Sequence, residues 1–229
     1  MSEIHSALLY FTCIVMSLAI HEFGHAWVAY RLGDSTARSL GRVTINPINH
    51  LDPMGTLMLA ILAFSQIGIG WAKPVPVNPM NLSDPRRDLM LISFAGPLMN
   101  LIQAFVVSGV LVALLNSGVL HPQANQGGLG LLKDGLYIYM VVNIGLFLFN
   151  MLPIYPLDGS KIISFFMPRP IAFKFESKMF EWGSKPFIIL FIAQMLLGHN
   201  GPFSLILGPA VQFLFGLLLS FWSIVLSIF

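Results

Sequence analysis

Long apolar runs broken by short polar segments set the pattern of this chain. The first run, residues 6–31, ends at Gly33-Asp34, a stop signal in which glycine can take the left-handed turn that closes a helix. A polar stretch over residues 34–52 carries Arg38 and Arg42, a strand-like Val43-Thr44-Ile45, and turn signals at Asn46-Pro47 and Asp52-Pro53. Residues 54–69 are apolar again, but the run is shorter than the ~20 residues a helix needs to cross a hydrocarbon core. Trp71-Ala72-Lys73-Pro74-Val75-Pro76-Val77-Asn78-Pro79 cannot be helical, because its alternating prolines lack N–H donors, and it predicts an extended edge strand. Helices are predicted over residues 87–116 and 135–151, with a glycine-rich loop over 118–133 between them. Pro153 and Pro156 then break the helical pattern just ahead of Asp158-Gly159. Residues 160–186 mix basic and aromatic side chains, as a segment lying on a membrane surface does. A short apolar helix over 187–197, a break at 198–202 and a long helix over 203–229 complete the pattern.

These runs predict an all-α polytopic membrane protein with about five transmembrane helices, a re-entrant segment and a small membrane-associated β-loop. Composition agrees: of 229 residues, 56% are hydrophobic and only 10% charged, which excludes a soluble globular class. No hydrophilic block is large enough to fold alone, so a single membrane-embedded domain is expected over residues 1–229. It divides into a core at 1–161 and a C-terminal surface segment with helices at 162–229. The formal net charge is +2 and no basic stripe interleaves with aromatics, so nucleic acid is not an expected partner. Cys13 is the one cysteine, which rules out an intrachain disulfide and reads as a packing residue. The apolar run at the N-terminus has no basic region ahead of it, so it is expected to be a retained helix and not a cleaved signal.

The chemistry concentrates in His21-Glu22-Phe23-Gly24-His25, an H-E-x-x-H pattern inside the first apolar run. Helical residues four apart share a face, so His21 and His25 present two imidazoles together, half of a tetrahedral zinc site. Glu22, next to the first imidazole, can take a proton from an attacking water and later return it. In a soluble helix this pattern recurs by chance. In hydrocarbon, two histidines and a glutamate cost several kcal/mol unless they pair with a metal, water or one another, which makes the functional reading the stronger. His25 and His21 lie about 9 and 15 Å along the axis from Arg31, where the helix emerges.

The basic residues set the topology. If residues 54–69 return to their own side, eleven of the twelve Lys and Arg share one face, and only Lys133 lies opposite. If residues 54–69 cross, the cations split between faces. The re-entrant arrangement is therefore expected, with the N-terminus outside and the motif near the cytosolic face. The helix over 135–151 then descends to that same face and delivers Asp158 near His21 and His25. Taken alone, Asp158-Gly159 equally suits a turn or helix cap. Joined to the two histidines it completes a two-His, one-carboxylate set with a fourth position open.

HEFGH in a first membrane helix and NMLPIYPLDG after a third, with AGPLMN and GWAKPVPVNP between, resemble the site-2 protease family of intramembrane zinc metalloproteases. The resemblance covers residues 1–161. It implies one Zn2+ per chain held by His21, His25 and Asp158, with Glu22 as catalytic base and Asn150 near the substrate carbonyl. It also implies that residues 73–79 form a membrane-associated β-loop holding an extended substrate through Lys73, Pro74, Val75, Pro76 and Val77. The expected activity is hydrolysis of peptide bonds in transmembrane protein substrates near the cytosolic side of a prokaryotic plasma membrane, with the lipid bilayer as the other partner. Unlike many members of that family, the chain is expected to carry no inserted PDZ and no appended CBS domain. Asn150 also suits an interhelical hydrogen bond. A membrane metal-binding protein or transporter is the alternative use of such a cluster. Among the remaining polar residues, Asn100 reads as a helix-packing residue and Gln103, Asn143 and Gln194 as interhelical contacts. His50, His121 and His199 read as solvated loop residues.

Overall fold

Among residues 3–65, 70–121 and 127–228, which the computed structural model describes, nine α-helices and three short 3-10 turns make up the regular structure. Helix α1 (Glu3–Arg31) carries the H-E-x-x-H pattern and closes where Gly33, at φ +108°, lets the chain reverse. Beyond it Asp34 is fully buried and ties two loops together. Its carboxylate accepts from the Thr36 amide and hydroxyl, from Asn81 Nδ2 at 2.8 Å and from the Asn78 amide at 2.7 Å. Burial alone would raise the Asp34 pKa; the hydrogen bonds from Thr36, Asn81 and Asn78 outweigh it and hold the carboxyl below its ordinary value. This hub anchors the proline-rich segment beside the end of α1.

The stretch 34–52 holds the single-turn α2 (Thr36–Ser39) and a 3-10 turn at Pro47–His50, and Val43-Thr44-Ile45 forms no strand. His50, expected in solvent, is instead 1% exposed: its Nε2 bonds to the Thr44 carbonyl at 2.7 Å, and burial is tolerable because that group is satisfied. Helix α3 (Pro53–Ser65) is about 20 Å long, short of the ~30 Å hydrocarbon core. The end of the expected run over 54–69 lies outside the described residues. The two ends of this excursion meet. Leu51 and Ala72 form an isolated antiparallel bridge, and the Lys73 amide donates to the His50 carbonyl at 2.8 Å.

That bridge is the whole of the β-structure among the described residues, where the sequence predicted an edge strand and a β-loop. Pro74, Pro76 and Pro79 remove three of the six donors over residues 74–79, so pairing stops at Lys73. Arg42, 5% exposed, holds the segment from the other side by donating to the Lys73 carbonyl.

Helix α4 (Pro85–Asn116) begins with Asp84 capping the Arg87 amide, and contains Pro97. Helix α5 (Gly127–Asn150) starts well inside the predicted glycine-rich loop. It is followed by α6 (Asp158–Phe166), α7 (Arg169–Trp182), α8 (Lys185–Leu197) and α9 (Pro202–Leu226). Four helices, α1, α4, α5 and α9, are long and apolar enough to cross a membrane; α7 and α8, bent by 62°, reach that standard only as a pair. The protein is an integral membrane protein. Gln194 stitches α8 to α9 through the Gly198 carbonyl and the Ser204 hydroxyl and amide.

Helix α4 is central, packing on α1, α5, α6 and α9. Apolar helices in lipid gain little from hydrophobic burial, so close packing at small residues holds them together. Gly24 of α1 is such a point: a Cβ there would sit 2.8 Å from the Ala95 carbonyl of α4. Clusters around Ile14, Leu59 and Val142 join α1, α3 and α5, and clusters around Ala104, Met140, Ile144 and Leu218 join α4, α5 and α9.

Leu51 and Ala72 face each other as a non-hydrogen-bonded pair, the closer of the two antiparallel spacings, within reach of a disulfide. In a Cys13→Ser background, Leu51→Cys with Ala72→Cys is expected to cross-link on mild oxidation and to change gel mobility reversibly with reductant. A pair that stays reduced in the folded protein would show that the two ends are apart.

Candidate metal centre

The intramembrane histidines lie one turn apart on α1, and the break after α5 brings Asp158, the first residue of α6, against them. His21 Nε2 and His25 Nε2 are 3.0 Å apart, and Asp158 Oδ2 lies 3.4 and 3.3 Å from them. All three ligand atoms lie within 4.8 Å of one another, and together they can hold a metal ion. Both histidines are buried, at 4% and 8% exposed.

Hydrogen-bond chemistry dictates which imidazole nitrogens face the cluster. His25 Nδ1 bonds to the Ile92 carbonyl of α4 at 2.7 Å; a carbonyl only accepts, so Nδ1 carries the proton. His21 Nδ1 lies 2.6 Å from Asn100 Oδ1, and a chain of fixed polarity stands behind that contact. Ser17 donates its hydroxyl to the Cys13 carbonyl at 2.8 Å and accepts from Asn143 Nδ2 at 2.8 Å. Asn143 Nδ2 also donates to the Tyr139 carbonyl, so its Oδ1 accepts from Asn100 Nδ2 at 2.8 Å. Asn100 Oδ1 is then the acceptor for His21 Nδ1–H. Ser17, Asn100 and Asn143 are each fully buried. With both Nδ1 atoms donating, each Nε2 is left to bind a cation.

Gly96 completes the fit. A Cβ at this position of α4 would lie 2.3 Å from His25 Nε2 and 2.7 Å from His21 Cε1, so only glycine admits both rings. Asn100, read from sequence as a packing residue, and Asn143, read as an interhelical contact, are indeed interhelical, but Asn100 also bonds to His21 and Asn143 fixes Asn100 from behind. The signal in the sequence is the spacing of Gly96 and Asn100, four apart on one face of α4.

A cavity of about 250 Å³ opens over the cluster, lined by His21, Glu22, His25, Asp158, Asn150 and Val75 among others. Glu22 is 9% exposed, and its Oε2 accepts the Val75 amide at 3.2 Å. Asn150 donates one amide proton to the Leu146 carbonyl at 3.0 Å, which leaves its second N–H for another acceptor. Of the expected substrate-binding segment, Pro74, Val75 and Val77 reach the cavity wall, while Lys73 and Pro76 do not.

Comparison with known proteins adds the family. The model of "Peptidase family M50" matches residues 9–128. The chain belongs to peptidase family M50. "Putative zinc metalloprotease YwhC" of Bacillus subtilis (strain 168) is 39% identical over 182 residues, 80% of this chain and 79% of that protein. "Putative zinc metalloprotease Rip2" of Mycolicibacterium smegmatis (strain ATCC 700084 / mc(2)155) is 31% identical over 148 residues. The same-named protein of Mycobacterium tuberculosis (strain ATCC 25618 / H37Rv) is 32% identical over 146 residues. Each Rip2 match covers 63% of this chain and about half, 52%, of the relative. No solved structure matches the chain. As an M50 peptidase it is a zinc metalloprotease of the site-2 protease family.

The residues present fit that ion. Tetrahedral zinc with bonds of ~2.0–2.1 Å sets its ligand atoms about 3.3 Å apart. The three edges here are 3.0, 3.3 and 3.4 Å. Because the Asn143–Asn100 chain orients one of the rings, Asn100→Ala is expected to weaken zinc binding about 10- to 100-fold in competition with a chromophoric chelator. Gln103→Ala, on the same helix but bonded to Tyr139, is expected to leave affinity unchanged. Equal affinities for Asn100→Ala and wild type would remove the chain from the metal site.

Proposed function

We propose that this protein is an intramembrane protease that hydrolyses peptide bonds of transmembrane substrates near the cytosolic side, with His21, His25 and Asp158 as zinc ligands and Glu22 as catalytic base. The observation that carries this reading is the meeting of a two-His, one-carboxylate cluster with an adjacent glutamate under one cavity, the two histidines and the glutamate standing on a helix of membrane-spanning length. Transport is the weaker use of the same donors, because their ligand atoms gather at one point and are not spread along a path.

His21, His25 and Asp158 would hold the zinc, which when bound would polarise a carbonyl and acidify water. Glu22 takes the proton of the attacking water and passes it to the leaving amine. Asn150, through its uncommitted N–H, holds the scissile carbonyl or its developing charge. A substrate helix hides its peptide bonds in its own i to i−4 hydrogen bonds and must fray before its carbonyl reaches the cluster. The segment with Pro74, Val75 and Val77 lies beside the cavity and receives the frayed strand. The Val75 amide donates to Glu22 Oε2, which leaves Oε1 to take the proton of the attacking water.

The meeting of Leu51 with Ala72 supports a re-entrant α3. That topology gathers eleven of twelve basic residues on one face, which the positive-inside rule makes the cytosolic one.

Glu22→Gln keeps the shape of the side chain and removes its basicity. It is expected to retain stoichiometric zinc and to lose cleavage of a membrane-embedded reporter by about 10²- to 10⁴-fold in proteoliposomes. Cleavage at the wild-type rate in this variant would exclude Glu22 as the base.

A further inference from the structure

A second cavity, of about 360 Å³, opens between the start of α4 and the turn joining α6 to α7. Its polar lining holds three cations, Arg86, Lys161 and Arg169, and one carboxylate, Glu176; Phe165 and Phe173 supply apolar wall. Glu176 is engaged by the Ser164 hydroxyl. Arg86 is held in place, because its Nη2 donates to the carbonyls of Ser164, Phe165 and Met167 at the open end of α6. Lys161 and Arg169 are exposed, and among the described residues neither is ion-paired. The cavity thus concentrates positive charge that the fold itself does not neutralise.

The surroundings say which anion suits it. Phe173 is 74% exposed and Phe180 91% exposed on α7, a helix that also carries Lys174 and Lys178. Bare aromatics beside unpaired cations are matched at the boundary of a bilayer, where phosphate groups and acyl chains lie side by side. A soluble anion would answer the charges and leave the aromatics in water. An acidic peptide would do the same unless it also brought an apolar face.

We propose that this cavity is a binding site for the headgroup of an anionic phospholipid, with Lys161 and Arg169 holding the phosphate and Phe173 lying against the glycerol and upper acyl region. Lys161 also lines the cavity over the metal cluster, one turn after Asp158, so the bound lipid buttresses the helix that presents that carboxylate.

The test uses full-length protein in phosphatidylcholine nanodiscs containing dioleoylphosphatidylglycerol, with lipid retained on the protein after gentle release read by native mass spectrometry. Wild type is expected to retain phosphatidylglycerol over phosphatidylcholine, and Arg169→Gln to lose about fivefold of that preference. Arg169→Lys is expected to keep most of it, and Lys178→Gln, the same charge change outside the cavity lining, to leave it intact. Equal losses in Arg169→Gln and Lys178→Gln would reduce the effect to diffuse surface charge and overturn the site. No preference in wild type would overturn it as well, as would displacement of the lipid by an equal concentration of inorganic phosphate. Retention of an acidic peptide that depends on Arg169, without retention of phosphatidylglycerol, would assign the cavity to substrate instead. None of these outcomes depends on whether Glu22 catalyses cleavage.

Discussion

Two imidazole nitrogens and a carboxylate oxygen held 3.0 to 3.4 Å apart in a buried place repel one another unless a cation lies among them, and the architecture is arranged to tolerate that requirement. The two imidazoles are held from behind. His25 is oriented by a backbone carbonyl of α4, and His21 by a chain of buried amides that begins at a carbonyl of its own helix. Asp158 stands in the first turn of α6, where the helix dipole favours negative charge. Donors held this firmly have lost their conformational freedom on folding, so an arriving ion need not order them again.

Such convergence demands close helix approach. Gly24 brings α1 onto the backbone of α4, and Gly96 clears the space that both rings occupy. On the other side, Arg42 and the buried Asp34 hold the two ends of the proline-rich segment, and Val75 in its middle meets Glu22. The short α3 closes on itself through Leu51 and Ala72, so the segment leaving it returns to the neighbourhood of the cluster. Loops that look like connectors in the sequence are thus part of the wall around the metal centre.

What the sequence made legible follows from the range of each signal. His21 and His25 were readable because helix periodicity alone puts positions four apart on one face, and the hydrocarbon setting made their polarity costly. The approach of Asp158 was readable from an indirect constraint, the sidedness of the basic residues, since a chain folded to satisfy it returns Asp158 to the same level. The polarity of the Ser17, Asn143, Asn100 chain was not readable. A buried amide on a membrane helix has several partners available at similar energy, and only the rotation of α4 and α5 about their axes selects among them. The predicted edge strand failed for a local reason, three prolines in six residues, and what remains is a single bridge. His50 was misplaced because a loop histidine gives no sign in sequence that a carbonyl six residues away will satisfy it in a buried site.

X-ray absorption at the zinc edge, recorded on the zinc-loaded protein and on Asp158→Ala, addresses the shared site most directly. Wild type is expected to show two imidazoles and oxygen ligands at ~2.0–2.1 Å. The variant is expected to lose most of its zinc, or to keep it with both imidazoles and altered oxygen coordination. A wild-type spectrum without imidazole scattering, or one that Asp158→Ala leaves unchanged at full zinc content, would contradict the meeting of α1 and α6 at one ion.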